Sequence, residues 1–451
     1  MGPKLALCAA LGFIHSVLLY WPGFHSFDSL DRLRQARLDL INDHYPPLVA
    51  LLSQWVDGVI PVSVFFLVLQ LSLMSLGIYL LVRSLPGLSD FTRCSVLLLI
   101  QLFPPTTTAF AYISLDALMA ASMMFGFGLL SSNFPALSDR SADSMSLRRI
   151  GSVLAILSGF GLAIAVRHNG FMAAFVGVWC LVHLFRKKVG RPRLTTNGII
   201  ALSTTLILTG FAIFTPRIFI DVEHFNMTGM IAMHDIAGMV VAKGNLTADE
   251  VKRLSEAEIA DRRLTFEDFA AHHSPRSSVP FWTQARLNKE NRAHPEVFSL
   301  WRKMIRDHPM AYLKHRSQVF YEIMFDPRID HRLQHSRHVP EYFNGDNMPT
   351  ARKSRYQTHY VMLVDAVRPL TSPAIYFFLG IVSIPLLLLA SKRRNIVIVC
   401  LAMSGIGYQL GFFFVGSSAM NRFSIWMNLS GLAAFAIAIA QLHTRRKDNP
   451  I

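Results

Sequence analysis

The feature that most limits this chain is a series of apolar runs, each about twenty residues long and closed by a short polar loop. A hydrocarbon layer ~30 Å thick is crossed by roughly 20 mostly apolar residues in a helix. A helix suits that layer because it satisfies its own backbone hydrogen bonds. The runs predict about ten spans, near 4–22, 60–82, 94–111, 113–132, 150–166, 171–185, 197–215, 373–390, 395–415 and 423–442. The chain is 52% hydrophobic and 16% charged, where soluble domains carry roughly a quarter charged residues.

The formal charge of +15 raises the question of a nucleic-acid partner. Its distribution excludes one. Between residues 216 and 372 basic and acidic residues nearly balance, 22 against 19, so most of the excess lies in short loops between spans. Lys4 precedes the first span, and no small-residue cleavage site follows it. Arg83 and Arg93, then Arg140, Arg148 and Arg149, then Arg186 to Arg193, then Lys392 to Arg394, and finally Arg445 to Lys447 fall in alternate loops. That alternation marks the cytoplasmic side. It predicts a multi-pass protein of the cytoplasmic (inner) membrane with both termini inside and 216–372 outside. The expected fold class is an α-helical polytopic membrane protein with one large, mainly helical extracytoplasmic domain. The expected division is an N-terminal transmembrane module, 1–215, an extracytoplasmic soluble domain, 216–372, and a C-terminal transmembrane module, 373–451.

The first outer loop, 23–59, contains an amphipathic stretch. Leu30, Leu33, Ala36, Leu40 and Ile41 alternate with charged residues, which predicts a helix lying flat on the membrane surface, ended by Pro46-Pro47. In the long outer segment, Thr247 and Glu250 form a capping box that predicts a helix to Arg263. A helical run from Val297 to Phe325 is interrupted by Pro309. Eleven of the seventeen histidines lie in 216–372, among them His272, His273, His331, His335 and His338. None falls in a recognised zinc spacing, and they are assigned no metal. The four cysteines sit in or beside apolar runs and suggest no disulfide framework.

Ionisable residues at the outer ends of spans carry the chemistry, because charge near hydrocarbon is expensive. Asp28 is well placed as a helix N-cap and is also a general-base candidate. Asp43, with His44 beside it, is a metal-ligand candidate in a proline-closed turn. Asp116 opens the fourth span, with Ser114 as cap. Arg167, His168, Asn169 and Gly170 form an outer turn, and Arg422 lies in the last one. Guanidinium forks match phosphate oxygens, and glycine admits a ligand close to the backbone.

In this order the residues resemble the GT-C superfamily of membrane glycosyltransferases, most nearly its bacterial polyprenyl-phosphate-sugar-dependent type. The resemblance rests on Asp28-Ser29 with Gln35, then Asp43 and Pro46-Pro47, then Tyr112 to Asp116. It continues with Arg167-His168-Asn169-Gly170, His308-Pro309 to Tyr312-Leu313, and Arg422-Phe423. Tyr45 stands where those enzymes commonly have His, and Leu115 where they commonly have Lys. The resemblance implies an inverting transfer from a polyprenyl-phosphate-linked sugar to a glycan, lipid or protein acceptor among membrane lipids. Asp28 would be the catalytic base. Asp43, His44 and Asp116 would orient the acceptor or a divalent cation such as Mg2+ or Mn2+. Arg167, His168, Asn169 and Arg422 would hold the donor phosphate. A polysaccharide polymerase or O-antigen-ligase-like enzyme is the alternative. A transporter or flippase would need charge at mid-bilayer and broken helices in repeated halves, and neither is visible.

Overall fold

The structure is a computed structural model, and it describes residues 3–25, 27–138, 147–188, 194–223, 227–243, 273–276, 295–326, 355–390, 395–416 and 419–448. The apolar runs fold as helices: α1 (Pro3–Tyr20), α4 (Val62–Arg83), α5 (Asp90–Leu102), α6 (Leu115–Ser132), α7 (Leu147–Val166), α8 (Gly170–Lys188) and α9 (Leu194–Phe214). After the long polar segment come α14 (Pro373–Leu389), α15 (Asn395–Val415) and α16 (Ile425–Asp448). Among the described residues, seven helices are long and apolar enough to cross a membrane, and up to nine if each of two bent pairs is one span. That corrects the expected ten. The run at 94–111 is not one straight helix, because Pro104 and Pro105 break it and the halves meet at 48°. The apolar part of α8, Gly170–Arg186, is shorter than the others.

Packing sorts the helices. Of the apolar windows, 83% of that in α6 and 89% of that around α16 are buried, against 11% of that beginning at Leu194. The first two form the centre of the bundle. The third presents Leu202, Leu206, Ile207 and Phe211 outward, as a lipid-facing helix must. One apolar core runs continuously from Leu5 on α1 to Ala440 on α16. Helices in lipid associate through close backbone approach and polar bonds. Here α4 and α6 touch at Gly77 and Gly128, where a Cβ on Gly128 would stand 2.4 Å from the Gly77 carbonyl oxygen. Buried Trp426 stacks on Phe127 and donates its Nε1–H to Ser404 Oγ, and Ser404 in turn donates to the Ala173 carbonyl.

The first loop differs from its expected form. Helix α2 (Phe27–Leu38) buries Leu30, Leu33 and Ala36 inside the protein, with Leu33 part of the main core. Its apolar face is therefore spent on protein, not on the membrane surface. Pro47 starts a further short helix, α3 (Leu48–Val56), against which α2 packs.

In the polar segment, α10 (Met227–Lys243), α11 (Pro295–Asp307) and α12 (Pro309–Phe325) share a small core of Ala232, Met233, Ile236, Val240, Val297 and Met304. Pro309 divides α11 from α12 as expected. A further helix, α13 (Arg355–Val367), precedes α14. The helix expected from Thr247 to Arg263 lies outside the described residues, and no large extracytoplasmic domain is described.

Because no side chain fits between Gly77 and Gly128, Gly128→Val should cost about 1–3 kcal/mol through overpacking. The expected outcome is a clear fall in the melting temperature and folded yield of the detergent-purified protein. An unchanged melt would show that α4 and α6 part without cost.

Candidate functional site

Two loops far apart in sequence are stitched together at one end of the bundle. After α1 the chain turns at Gly23, whose φ of +92° is a conformation that favours glycine. It then forms a two-residue strand, Phe24–His25, which pairs in parallel with Tyr112–Ile113. This ladder sets the start of α2 beside the start of α6. Asp28 lies in the first turn of α2, which begins at Phe27, so it stands inside the helix and not at the N-cap position. Ser114 does cap α6, its Oγ accepting the Ala117 N–H at 3.0 Å, and Asp116 lies buried in the first turn. Arg167 follows α7 in a turn closed by the Gly170 N–H on the Arg167 carbonyl. Arg422 belongs to a single 3-10 turn, Asn421–Ser424, ahead of α16.

These four side chains converge. Arg422 Nη1 pairs with Asp28 Oδ2, and Arg422 Nε lies 4.0 Å from Asp116 Oδ2. Arg167 Nε lies 3.1 Å from Asp116 Oδ1. Both guanidinium groups pack against the Phe423 ring, with centroid distances of 5.5 and 5.4 Å. Asp28, Arg167 and Arg422 retain 15%, 16% and 23% side-chain exposure, so the cluster is reachable from outside. A cavity of about 280 Å3 beside α2, lined by His25, Leu33, Arg37, Asp57 and Ser63 among others, includes none of the four.

The remaining expected residues lie beside this cluster. Asp43 pairs with Arg217 at 3.0 Å, and its backbone is tied to Glu223. His168 Nε2 approaches the Asp43 carbonyl at 3.2 Å, joining the two turns. His44 sets its ring edge against Tyr45, and its backbone N–H bonds Asn42 Oδ1. Asn169 stands beside the buried Tyr408, as does Arg167. Gly170 serves packing and not ligand approach, since a Cβ there would lie 2.5 Å from the Ala163 carbonyl oxygen.

Sequence reasoning missed two members. Arg32 is buried four residues beyond Asp28 on α2, with its guanidinium 5.0 Å from the Tyr45 ring centroid. The i, i+4 spacing placed it on the same helix face as Asp28. Tyr45 donates its hydroxyl to Asp28, and burial first, then Asp28 itself, push that phenol well above its ordinary value. No local signal pointed from Tyr45 to a carboxylate seventeen residues away.

The cluster holds three guanidinium groups and two carboxylates. Burial alone would raise the Asp28 carboxyl, but Arg422, then Arg32, Tyr45 and Arg167, outweigh it and hold it below the ordinary 3.8. Arg32 Nε and Arg422 Nε are buried with no hydrogen-bond partner. Buried donors of this kind call for an acceptor. A Mg2+ or Mn2+ ion needs an oxygen-lined cage. Here the carboxylates are turned to arginines in an excess of positive charge, so this donor set does not fit such a cation.

No protein-family model and no curated protein matches the chain. Among solved structures it is similar to the archaeal oligosaccharyltransferase AglB from Archaeoglobus fulgidus, in complex with an inhibitory peptide and a dolichol-phosphate. The TM-score is 0.42 at 10% identity, over 99% of this chain and 52% of that one, so the chain spans about half the length of that protein.

Since Asp28 is depressed in the folded state, its contribution to stability is present above the ordinary carboxylate value and is lost as pH falls through the folded value. Arg422→Gln removes the foremost depressing group and leaves burial in place. The acid limb of the stability profile should then move to higher pH, read from melting temperatures between about pH 3 and 7. An unmoved limb would show that Arg422 does not govern the ionisation of Asp28.

Proposed function

We propose that this protein is a membrane glycosyltransferase of the GT-C kind. It moves a sugar from a polyprenyl-phosphate-linked donor to a glycan, lipid or protein acceptor of the cell envelope, at the outer face of the cytoplasmic membrane. The observation that carries this reading is the cluster of three arginines around two carboxylates, with orphaned guanidinium donors, at the rim of an apolar bundle. Charge bias supports the orientation, because basic loops lie at the span ends opposite this cluster.

The chemistry follows from the charges. A polyprenyl-phosphate sugar carries one negative charge on its phosphodiester, and the departing lipid phosphate carries two. Positive charge in excess of the resident carboxylates therefore binds the leaving group more tightly than the donor, which is what lowers a barrier. The donor phosphate takes up the free faces of Arg422, Arg32 and Arg167, and draws Arg422 from Asp28. The released carboxylate accepts the proton of an acceptor hydroxyl as that oxygen bonds to the anomeric carbon. The bond from the anomeric carbon to the phosphate oxygen breaks, its electron pair leaves with the phosphate, and the configuration inverts. Asp116 keeps Arg167 aimed at the phosphate, Asp43 and His168 hold the neighbouring turns, and the segment 216–372 covers the site and selects the acceptor.

Asp28→Asn keeps the side chain's shape and removes the base. The variant should be made and fold, melting somewhat lower because Arg422 loses its charged partner, while transfer from a polyprenyl-phosphate sugar in detergent falls by about 10²-fold or more per folded molecule. Near-normal transfer would remove Asp28 from the mechanism, and no glycoside product from the wild-type protein with any lipid-linked donor would favour a transport role. Arg167→Lys keeps the charge but loses the planar fork. It should raise the apparent KM for the donor with little change in topology or yield, and Arg167→Ala should be worse. Full activity of the lysine variant at limiting donor would make Arg167 an anchor to the membrane interface.

A further inference from the structure

A second polar cluster lies outside the one described above, in the small helical layer formed by α10 and α12. His234 and Asp235 stand side by side on α10, and His315 and Arg316 on α12; all four are buried. The segment His273–Arg276 completes the group, with the His273 ring 5.4 Å from that of His234 and 5.2 Å from that of His315. The contact is built into the backbone. Gly238 lies one turn beyond His234, and a Cβ there would stand 1.9 Å from His315 Nδ1, so only glycine lets the histidine of α12 come this close.

The hydrogen bonds leave a particular set of atoms unused. Asp235 Oδ2 accepts from Arg316 Nη2 at 2.6 Å and from Trp301 Nε1 at 2.9 Å. His234 Nε2 faces the Ser274 carbonyl at 3.0 Å, so it must carry the proton. What remains, buried and without hydrogen-bond partners, is Asp235 Oδ1, His234 Nδ1, both ring nitrogens of His315, His273 Nδ1 and Arg316 Nε. His315 Nε2 and Asp235 Oδ1 lie 3.2 Å apart without forming a hydrogen bond. A ligand atom from each of His234, Asp235 and His315 lies within 4.8 Å of the others.

We propose that this cluster is a structural metal site of the zinc type, with His234, Asp235 and His315 as ligands and His273 as the fourth. Two features support it beyond proximity. Donors at tetrahedral angles around Zn2+, with bonds of about 2.0–2.1 Å, stand about 3.3 Å apart, and the Asp235–His315 pair is already so placed. Metal-ligating histidines typically donate their other ring N–H to a carbonyl, and ligating carboxylates are themselves hydrogen-bonded; the Ser274 contact supplies the first for His234, and the Arg316 and Trp301 contacts supply the second for Asp235.

The site also braces the region that carries Arg422. Arg316 donates to the Gly416 carbonyl at the end of α15, and the Ala419 N–H bonds the Arg276 carbonyl. The proposal does not rest on the glycosyltransferase reading.

The test uses the full chain, purified in detergent through a tag without histidine. After loading with Zn2+ and dialysis, elemental analysis should find about one zinc per chain. Removing it with a strong chelator should lower the melting temperature, and adding Zn2+ back, but not Mg2+, should restore it. His315→Ala, and separately His273→Ala, should lose most of the retained zinc. Should either variant fail to fold, the chelation and restoration of the wild-type protein decide the matter. Less than about a tenth of a zinc per chain after loading would overturn the site, as would a melt indifferent to chelator or retention undiminished in a folded His315→Ala.

Discussion

A charge withdrawn from water must find an opposite charge or a donor, and at the rim of this bundle that requirement joins four segments. Asp28, Asp116, Arg167 and Arg422 come from the starts of α2 and α6, the turn after α7 and the turn before α16. Buried ion pairs contribute little net stability, because desolvation offsets their attraction. They do penalise wrong arrangements, since any shift of one helix leaves a charge exposed to hydrocarbon. The close contact of Gly77 with Gly128 and the bonds from Trp426 through Ser404 to Ala173 set the helices at the distances these pairs need. Apolar packing thus fixes the frame, and electrostatics reports whether the frame is correct.

Much of this was legible in the sequence because it depends on local pattern. Apolar run length marked the spans, and Pro309 marked the break between α11 and α12. The residues at span ends were visible because charge is unusual there, and Asp28, Asp116, Arg167 and Arg422 do meet. What stayed hidden depends on contacts between distant segments. Nothing near Asp43 indicated that Arg217 would pair with it. The apolar face of α2 reads the same whether it meets lipid or Leu33's neighbours in the core. Gly170 looked like a ligand's approach and is instead filled by the Ala163 carbonyl. The histidine cluster escaped because its members, 234, 273 and 315, have no common spacing. Adjacent His234 and Asp235, one turn before a glycine in an apolar helix, were the only local trace.

The two polar clusters are neighbours in structure. Arg316 reaches from the histidine cluster to Gly416, Arg276 receives the Ala419 N–H, and three residues later the chain presents Arg422. The segment between α15 and α16 is therefore held from the polar layer on one side and by Asp28 on the other. Arg276 also pairs with Glu322 and Asp326 at the end of α12, so it ties α12 to the backbone at Ala419 ahead of α16.

The order in which these residues leave the ribosome adds a constraint of its own. Asp28 emerges early, Asp116 and Arg167 follow, and Arg422 comes with the final helix pair. Until α16 enters the membrane, the Asp28 carboxylate lacks its principal counter-charge, and the site of α16 in the middle of the bundle stays open. Entry of α16 fills the centre and brings Arg422 to Asp28, so a chain interrupted before that point lacks both this central helix and the principal partner of Asp28.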